Sequence, residues 1–416
     1  MHRPLITLRE YESLPYSTLE DGEVAELERL TEHLGISAFR FYRSVLKAQQ
    51  YVGLIQTSQR SIQILPKIHG SKEANLSYLM LLLRYTQALT IHPVGTAQLR
   101  EMQGSFFEVW IQYFAQSLNR LLRRQYRRDY VEVEQRTGYL KGKLLVEELR
   151  DGREAVAGRY PCRYEVFTPD HLLYQVLKFC NGLLRREARS RTAQSLLREN
   201  AILLADVTDR IVRLSDLERI HLNRLNRAYE PLLDLCRLLL SQATLNVRAG
   251  HIAQLTFLFD MNRLFEAFVA AFLQRHMSRV TVNGVWPLES VTPQYRLGKL
   301  FGAFSMNVDL VLEDKAGHRI LLDTKYKMLD EQASQSGLAQ SDFYQMYAYA
   351  KAGPERFDHV ILLYPTAKRI EETYRADGVN LHVRTFNPRS IYDTESGRVN
   401  VENALQEFAG ALRIEM

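Results

Sequence analysis

Three ionisable residues interrupt apolar sequence in the C-terminal third of the chain. Asp309 lies within the apolar run 308–312, and Asp323 and Lys325 follow the apolar run 320–322. The turn-forming residues 314–317 between the runs predict a β-hairpin. Because side chains alternate between the two faces of a strand, Asp323 and Lys325 share one face. If Asp309 lies opposite them, two carboxylates and one ammonium group meet at the edge of a sheet.

Such a group of charges is typical of a metal site. Two close carboxylates repel each other, and a divalent cation such as Mg²⁺ relieves the repulsion while accepting oxygen ligands. A cation bound there can lower the pKa of a water molecule and polarise a phosphoryl oxygen, with Lys325 placed to hold the water or to offset developing charge. The chemistry would be phosphodiester hydrolysis. The same pattern also occurs in surface hairpins held by salt bridges, so the neighbouring elements must distinguish the two interpretations.

The neighbouring elements follow in a definite order. Apolar spacing predicts a helix over about 258–277, with Glu266 amid its apolar face. A second predicted helix covers 341–350, where Gln345 and Tyr349 are four residues apart and project from the same side. The segment 359–365 reads as another buried strand. The predicted order is therefore helix, strand, strand, helix, strand.

This order, with acids so placed, resembles the restriction-endonuclease-like fold that carries the PD-(D/E)xK nuclease motif. Gln345 and Tyr349 look like the QxxxY element of its RecB-like branch. The segments 261–266, 322–326, 344–349 and 362–365 are further similar, in order and spacing, to the McrC family. Members of that family are nuclease subunits of McrBC restriction systems, which act on DNA containing modified cytosine.

The resemblance implies roles for individual residues. Asp309, Asp323 and Lys325 would be the nuclease residues, with Gln345 and Tyr349 in the same catalytic site. Glu266 would join Asp309 and Asp323 around a Mg²⁺ ion. The chain departs from the motif at one position, since Val308 stands where a proline is common, and that proline does no chemistry.

The whole chain is long enough for several domains. Its 416 residues predict a multidomain α/β protein in three parts, and its net charge of +6 favours an acidic partner such as nucleic acid. Three widely spaced cysteines form no zinc motif and no disulfide framework. The N-terminus lacks a signal-peptide pattern, and no apolar run is long enough to span a membrane, so the expected location is the cytoplasm.

The three predicted parts differ in composition. Residues 1–105 are expected to form a β-containing module with a helix over 20–34, a hairpin from 51–55 and 61–66, and a helix over 75–89. Residues 106–250 are expected to be mainly helical and rich in arginine, with one cluster over 120–128 on one side of a helix and another over 185–191. These arginines fit a solvated surface and a phosphate-binding surface equally well. Residues 251–416 are expected to form the endonuclease domain, with a central mixed sheet.

The sequence also lacks a nucleotide-binding loop. Gly142-Lys143 and Gly298-Lys299 are both followed by leucine, so neither supplies the hydroxyl of a P-loop, and no nucleotide is expected to bind this chain. The resemblance implies that the motor is a separate McrB-like AAA+ GTPase ring, which recognises the modified double-stranded DNA while the McrC-like subunit stimulates the GTPase and cuts. It also allows dimerisation through the nuclease domain on DNA.

Residues 1–250 exceed what a cutting domain needs, so they are expected to engage the ring as a docking region. Two other functions remain open. One is a RecB-like nuclease that needs no partner, and the other is a non-catalytic regulator of an AAA+ ring.

Overall fold

A computed structural model describes residues 4–68, 71–86, 105–149, 158–246, 251–300, 303–327, 329, 338–352, 357–366, 369–393 and 398–414. Two compact units divide the chain, and they are described separately. The first consists mainly of Phe107–Leu255, and the second combines Arg3–Phe106 with Thr256–Met416. The N-terminal residues, expected as a module of their own, thus share a unit with the C-terminal residues. The division of function among three parts stays a prediction.

The helices and strands are numbered here in chain order. The helices are α1 (Glu23–His33), α2 (Lys72–Tyr85), α3 (Phe106–Gln125), α4 (Leu172–Glu187), α5 (Arg191–Leu203), α6 (Leu214–Glu218), α7 (Glu230–Gln242), α8 (Met261–Arg275), α9 (Gln340–Ala352) and α10 (Val401–Ala411). The strands up to residue 260 are β1 (Leu5–Arg9), β2 (Ser13–Pro15), β3 (Phe39–Phe41), β4 (Val45–Ala48), β5 (Tyr51–Gln56), β6 (Ser61–Leu65), β7 (Asp129–Thr137), β8 (Lys143–Leu144), β9 (Tyr160–Thr168), β10 (Ala243–Asn246) and β11 (His251–Asp260). The later strands are β12 (Thr281–Val282), β13 (Trp286–Leu300), β14 (Phe304–Asp314), β15 (Arg319–Thr324), β16 (His359–Pro365), β17 (Glu371–Ala376), β18 (Val379–Phe386), β19 (Tyr392–Asp393) and β20 (Arg398–Val399).

A mixed sheet of seven strands forms the centre of the second unit. Its strand order is β12-β13-β14-β15-β16-β18-β17. Strands β14 and β15 pair antiparallel, which confirms the predicted hairpin, whereas β15, β16 and β18 run parallel. A parallel connection needs a crossover, and α9 lies in the crossover between β15 and β16. This element order positions the C-terminal end of β15, which lies opposite the middle of β14, beside α9.

Helices cover both faces of this sheet. On one face, Met346 and Ala350 of α9 share a core with Val360, Leu362 and neighbouring strand residues. Val379, Leu381 and Val383 of β18 belong to that core, and side chains alternate along the strand, so Phe386 points to the opposite face of the sheet. There its ring lies 6.2 Å from that of Phe265 in α8 and 4.7 Å from that of Phe408 in α10. The sheet is therefore buried on both sides, as its nearly continuous apolar strands require.

The predicted helix over 258–277 begins later than expected. Residues 258–260 belong to β11, and α8 starts at Met261. Asp260 is its N-cap, because the Asp260 side chain accepts a hydrogen bond of 2.9 Å from the backbone N–H of Asn262. An aspartate at this position stabilises the free N–H groups of the first helical turn. The apolar run of β11 continues into that of the helix, and the start at about 258 was therefore wrong.

The N-terminal part of the second unit builds a smaller sheet. Strand β1 runs parallel to β6, β5 pairs antiparallel with β6, and Thr256–Asp260 of β11 pair with β5. The predicted hairpin of 51–55 and 61–66 is confirmed as β5 and β6. The expected helix over 20–34 is α1, and α2 corresponds to the helix expected over 75–89, of which 87–89 lie outside the described residues. Tyr85 of α2 packs on Phe268 and Phe272 of α8.

The first unit combines helices with a small sheet. Helices α4, α5 and α7 pack together, and β7, β9 and β8 form a three-stranded antiparallel sheet. The segment 120–128 is only partly helical, because α3 ends at Gln125. Arg127 and Arg128 therefore do not belong to the helix face on which they were expected. The guanidinium of Arg127 instead donates to the carbonyl of Leu225, and its backbone N–H donates to Tyr174.

The observed elements confirm a multidomain α/β protein with mixed sheets. Among the described residues, no helix is both long and apolar enough to cross a membrane.

Candidate functional site

The register of the hairpin brings Asp309 to the end of β15. Leu310 pairs with Leu322, so the residue before Leu310 lies beside the residue after Leu322. Oδ2 of Asp309 accepts two hydrogen bonds from Thr324, one from its backbone N–H at 2.8 Å and one from its hydroxyl at 2.7 Å. The Asp309 carboxylate is therefore fixed at the end of β15, as the expected convergence with Asp323 requires.

Asp323 and Lys325 form an ion pair. Nζ of Lys325 lies 2.6 Å from Oδ2 of Asp323, whose side chain is almost completely buried. Burial and the charge of Asp309 together raise the pKa of Asp323 to about 6, although Lys325 opposes the shift. The pKa of Lys325 is raised by Asp323 even though burial acts against it. Charge pairing thus keeps the lysine positive inside a poorly solvated site.

The helix α9 completes this side of the site. Nζ of Lys325 donates to Oε1 of Gln345 at 3.3 Å, and Nε2 of Gln345 donates to the hydroxyl of Tyr349 at 3.0 Å. The four-residue spacing in the sequence correctly placed Gln345 and Tyr349 on one side of the helix. Together they orient the lysine that the sequence had singled out.

Glu266 of α8 is electrostatically coupled to the two aspartates. Burial, together with the negative charges of Asp309 and Asp323, raises the pKa of Glu266 to about 7. The side-chain amide of Gln294 donates a hydrogen bond to Oε1 of Glu266, and this hydrogen bond opposes the rise in the pKa of Glu266. Interacting carboxyls with raised pKa values are a recurrent property of functional sites. All three predicted acids therefore belong to one electrostatic cluster.

A second ion pair, between Lys327 and Asp342, lies next to this cluster and was not predicted from the sequence. Nζ of Lys327 contacts both carboxylate oxygens of Asp342, at 3.0 and 3.3 Å, and the hydroxyl of Tyr364 donates to Asp342 at 3.3 Å. The charge of Asp342 also acts on Asp323 and Lys325. Lys327 follows Lys325 by two residues, which is the one signal in the sequence that could have indicated it.

Buried aromatic residues anchor the backbone beside the charged ones. Tyr326, which follows Lys325, packs its ring 5.7 Å from that of Phe265, which precedes Glu266. The hydroxyl of Tyr326 donates to Oε2 of Glu10 at 3.2 Å. Glu10 also accepts a hydrogen bond from the backbone N–H of Lys67. N-terminal residues thus help to hold the strand end that carries the lysine of the site.

The donor set suits a hard divalent cation. Asp309, Asp323 and Glu266 offer only carboxylate oxygens, which Mg²⁺ prefers. Oδ2 of Asp323 is buried and makes no hydrogen bond of good geometry among the described residues, although Lys325 is paired with it. Within the same residues, no three His, Cys, Asp or Glu side chains come close enough to enclose a metal on their own. Water or substrate oxygens would therefore have to complete the coordination, as is usual for Mg²⁺.

Some arginines of the first unit have protein partners. Arg123 forms an ion pair with Glu199, and Arg127 donates to a backbone carbonyl as described above. These contacts favour a structural role for these two residues. The phosphate-binding role of the remaining arginines stays a prediction.

Cys162, Cys180 and Cys236 are buried and free.

Comparisons with known proteins place the chain in a family. Residues 46–365 match the family described as "McrBC 5-methylcytosine restriction system component". No curated protein matches the sequence significantly. One similar solved structure is a half-complex from a tetradecameric assembly of Thermococcus gammatolerans McrB AAA+ hexamers with bound McrC. Its matching chain has 21% identity and a TM-score of 0.73, with 97% of this chain and 99% of that chain covered.

A second similar structure is the Thermococcus gammatolerans McrBC complex, with 24% identity, a TM-score of 0.52 and coverage of 65% of this chain and 88% of that chain. At these identities the two structures support the fold. The family match, in contrast, extends over more than half of the sequence and includes Glu266, the β14–β15 hairpin and α9. The chain therefore belongs to the McrBC family of 5-methylcytosine restriction system components.

Proposed function

We propose that the protein is the DNA-cleaving subunit of a restriction system and hydrolyses phosphodiester bonds with the help of a divalent cation. The observation that carries this proposal is the cluster of Asp309, Asp323 and Lys325 at the C-terminal end of β15, with Glu266 coupled to both aspartates. A salt-bridged surface hairpin does not need a nearly buried aspartate or carboxyls with raised pKa values. The arrangement therefore favours the nuclease interpretation over the structural one.

The residues of the site divide the work of hydrolysis. Asp309 and Asp323 would hold Mg²⁺ together with water or substrate oxygens, and Glu266 would be drawn in as a third oxygen ligand when the ion binds. Thr324 fixes the orientation of Asp309. When bound, the ion supplies a Lewis acid that polarises a phosphoryl oxygen and lowers the pKa of a water. Lys325 provides a charged donor for the attacking water or for negative charge that develops on the phosphate. Gln345 and Tyr349 keep that donor pointed at the site.

The partner in this proposal is an AAA+ GTPase ring. One similar solved structure contains McrC bound to McrB AAA+ hexamers, and this chain is similar in fold to its matching chain over nearly its whole length. The first unit also exposes large apolar side chains around its three-stranded sheet, with Tyr139, Leu140 and Val146 each about two-thirds exposed. Exposed apolar groups of this kind mark protein interaction sites. We assign the contact with the ring to this region, in line with the expected docking role of residues 1–250.

Full-length protein is needed to test this assignment. A fragment ending near residue 250 would separate the two parts of the second unit and would expose its core. Replacing Tyr139 and Leu140 with serine in the full chain should instead reduce stimulation of the ring's GTPase. Cation binding to the double variant serves as the control and should stay at the wild-type level.

A cleavage assay tests the proposed function itself. Full-length protein is mixed with duplex DNA that does or does not contain 5-methylcytosine, with Mg²⁺ or EDTA, and with or without a McrB-like ring and GTP. The proposal expects cleavage only of modified DNA and only with Mg²⁺, the ring and GTP. Cleavage without the ring would identify a self-sufficient RecB-like nuclease. Stimulation of the GTPase with no cleavage under any condition would identify a non-catalytic regulator.

A further inference from the structure

Strand β13 takes an unusual backbone conformation at Gln294. Its φ angle is 49°, in the left-handed region that residues other than glycine seldom adopt. The flanking pairs of the ladder are Pro293 with Leu310 and Tyr295 with Val308, so Gln294 lies at the level of Asp309. Residues in such conformations persist only where the surrounding structure holds them, and they concentrate at functional sites. The position of this one next to Asp309 therefore calls for a functional explanation.

The side chain of Gln294 links β13 to α8. Its amide donates to Oε1 of Glu266, and the charges of Asp309 and Asp323 act on the same glutamate. A carboxylate repelled by two others would otherwise turn away from them. A neutral amide can hold it in place without forming an ion pair that would compete with a cation. The hydrogen bond thus opposes the repulsion that the cluster itself creates.

We propose that Gln294 is a positioning residue that keeps the Glu266 carboxylate turned toward Asp309 and Asp323, from where it can join a divalent cation that they bind. This inference rests on the proposed function, because it assigns Gln294 to the same site. Residues that orient metal ligands typically change metal affinity by 10–100-fold when they are replaced. The strained backbone at Gln294 is the conformation from which its amide reaches Glu266.

Two substitutions separate positioning from a structural role. Glycine and asparagine both adopt the left-handed region more easily than glutamine, so Gln294→Gly and Gln294→Asn should keep or raise the melting temperature. Neither side chain reaches as far as the glutamine amide. We expect both variants to bind Mn²⁺ about 10-fold more weakly than the wild type in isothermal titration calorimetry. A purely structural role predicts unchanged affinity in these equally stable or more stable proteins.

Asp377 provides a matched control. It also has a positive φ angle, 48°, but lies in the turn between β17 and β18. Asp377→Asn keeps a side-chain oxygen that can accept the hydrogen bond from Tyr347 of α9, and it should leave Mn²⁺ affinity and DNA cleavage at wild-type levels.

The outcomes for Gln294 and for the proposed function are distinguishable. Wild-type Mn²⁺ affinity in Gln294→Gly would overturn the positioning role even if the enzyme cleaves DNA. Weakened Mn²⁺ binding in that variant, together with a wild-type protein that never cleaves DNA, would support the positioning role and refute the proposed function. A wild-type protein that binds no Mn²⁺ would overturn both.

Discussion

Cation binding should depend steeply on pH, because two of the carboxyls that would hold the ion, Glu266 and Asp323, have raised pKa values. Glu266 has a pKa of about 7 and Asp323 a pKa of about 6 without the ion. A carboxyl must lose its proton to act as a ligand, so protons compete with the cation. At pH 6 the competition weakens binding about 11-fold through Glu266 and about 2-fold through Asp323. Near pH 8 both factors approach one, so the apparent affinity should rise about 20-fold from pH 6 to pH 8.

Isothermal titration calorimetry measures this effect directly. Mn²⁺ affinity is determined at pH 6, 7 and 8, and titrations in two buffers with different ionisation enthalpies give the number of protons released. At pH 6 that number should exceed one. In Glu266→Gln the pH dependence should shrink to about 2-fold, because only Asp323 still titrates. Affinity that is constant over this range in the wild type, or a pH dependence that Glu266→Gln leaves unchanged, would refute the assignment of these carboxyls as ligands.

Three further predictions concern stability and positioning. Burial raises the pKa of Glu10 to about 7, so the contribution of Glu10 to stability is complete below pH 4.5 and is lost as the pH rises through 7. Glu10→Gln should therefore raise the free energy of unfolding, measured by urea denaturation, by up to about 3 kcal/mol at pH 8, and a variant equally stabilised at pH 4 would contradict this. Burial, with the charges of Arg384 and His359, lowers the pKa of His382 to about 3, so the stability of the protein should fall as the pH drops below 6.5. His382→Gln should therefore lose less melting temperature than the wild type between pH 6.5 and 4, and an equal loss in both proteins would contradict this prediction. Thr324→Val removes the hydroxyl donor to Asp309 but keeps the backbone donor, so DNA cleavage should slow at least about 10-fold, equivalent to about 1.4 kcal/mol. Thr324→Ser keeps both donors and should cleave normally, and equal cleavage rates for the two variants would exclude an orienting role of the Thr324 hydroxyl.

Local sequence patterns predicted the elements that carry the candidate site. Alternation and turn residues predicted the β14–β15 hairpin, and helical spacing predicted that Gln345 and Tyr349 lie together. Strand β16 was predicted at His359–Pro365, where the structure has it. Each of these elements depends on short-range spacing, which the sequence displays directly. The residues that interact within them could therefore be named in advance.

Longer-range features could not be predicted in the same way. Strand β13 contains Pro287 and Pro293, which interrupt the alternation of a regular strand, so neither the strand nor the role of Gln294 could be predicted. The hydrogen bond between Glu10 and Tyr326 joins residues 316 positions apart. No periodic pattern encodes such a contact, and the N-terminal residues were therefore expected to fold as a separate module.

The most direct test of the proposed nuclease site measures DNA cleavage and GTPase stimulation in the same reaction. Full-length wild type, Asp309→Ala and Lys325→Ala are each combined with a McrB-like ring, GTP, Mg²⁺ and methylated duplex DNA. Lys315→Ala, which changes an exposed lysine in the turn of the same hairpin, serves as the matched control. We expect Asp309→Ala and Lys325→Ala to lose cleavage while they stimulate the GTPase like the wild type, and Lys315→Ala to retain both activities. Cleavage at the wild-type rate by Asp309→Ala or Lys325→Ala would contradict the assignment of the catalytic site.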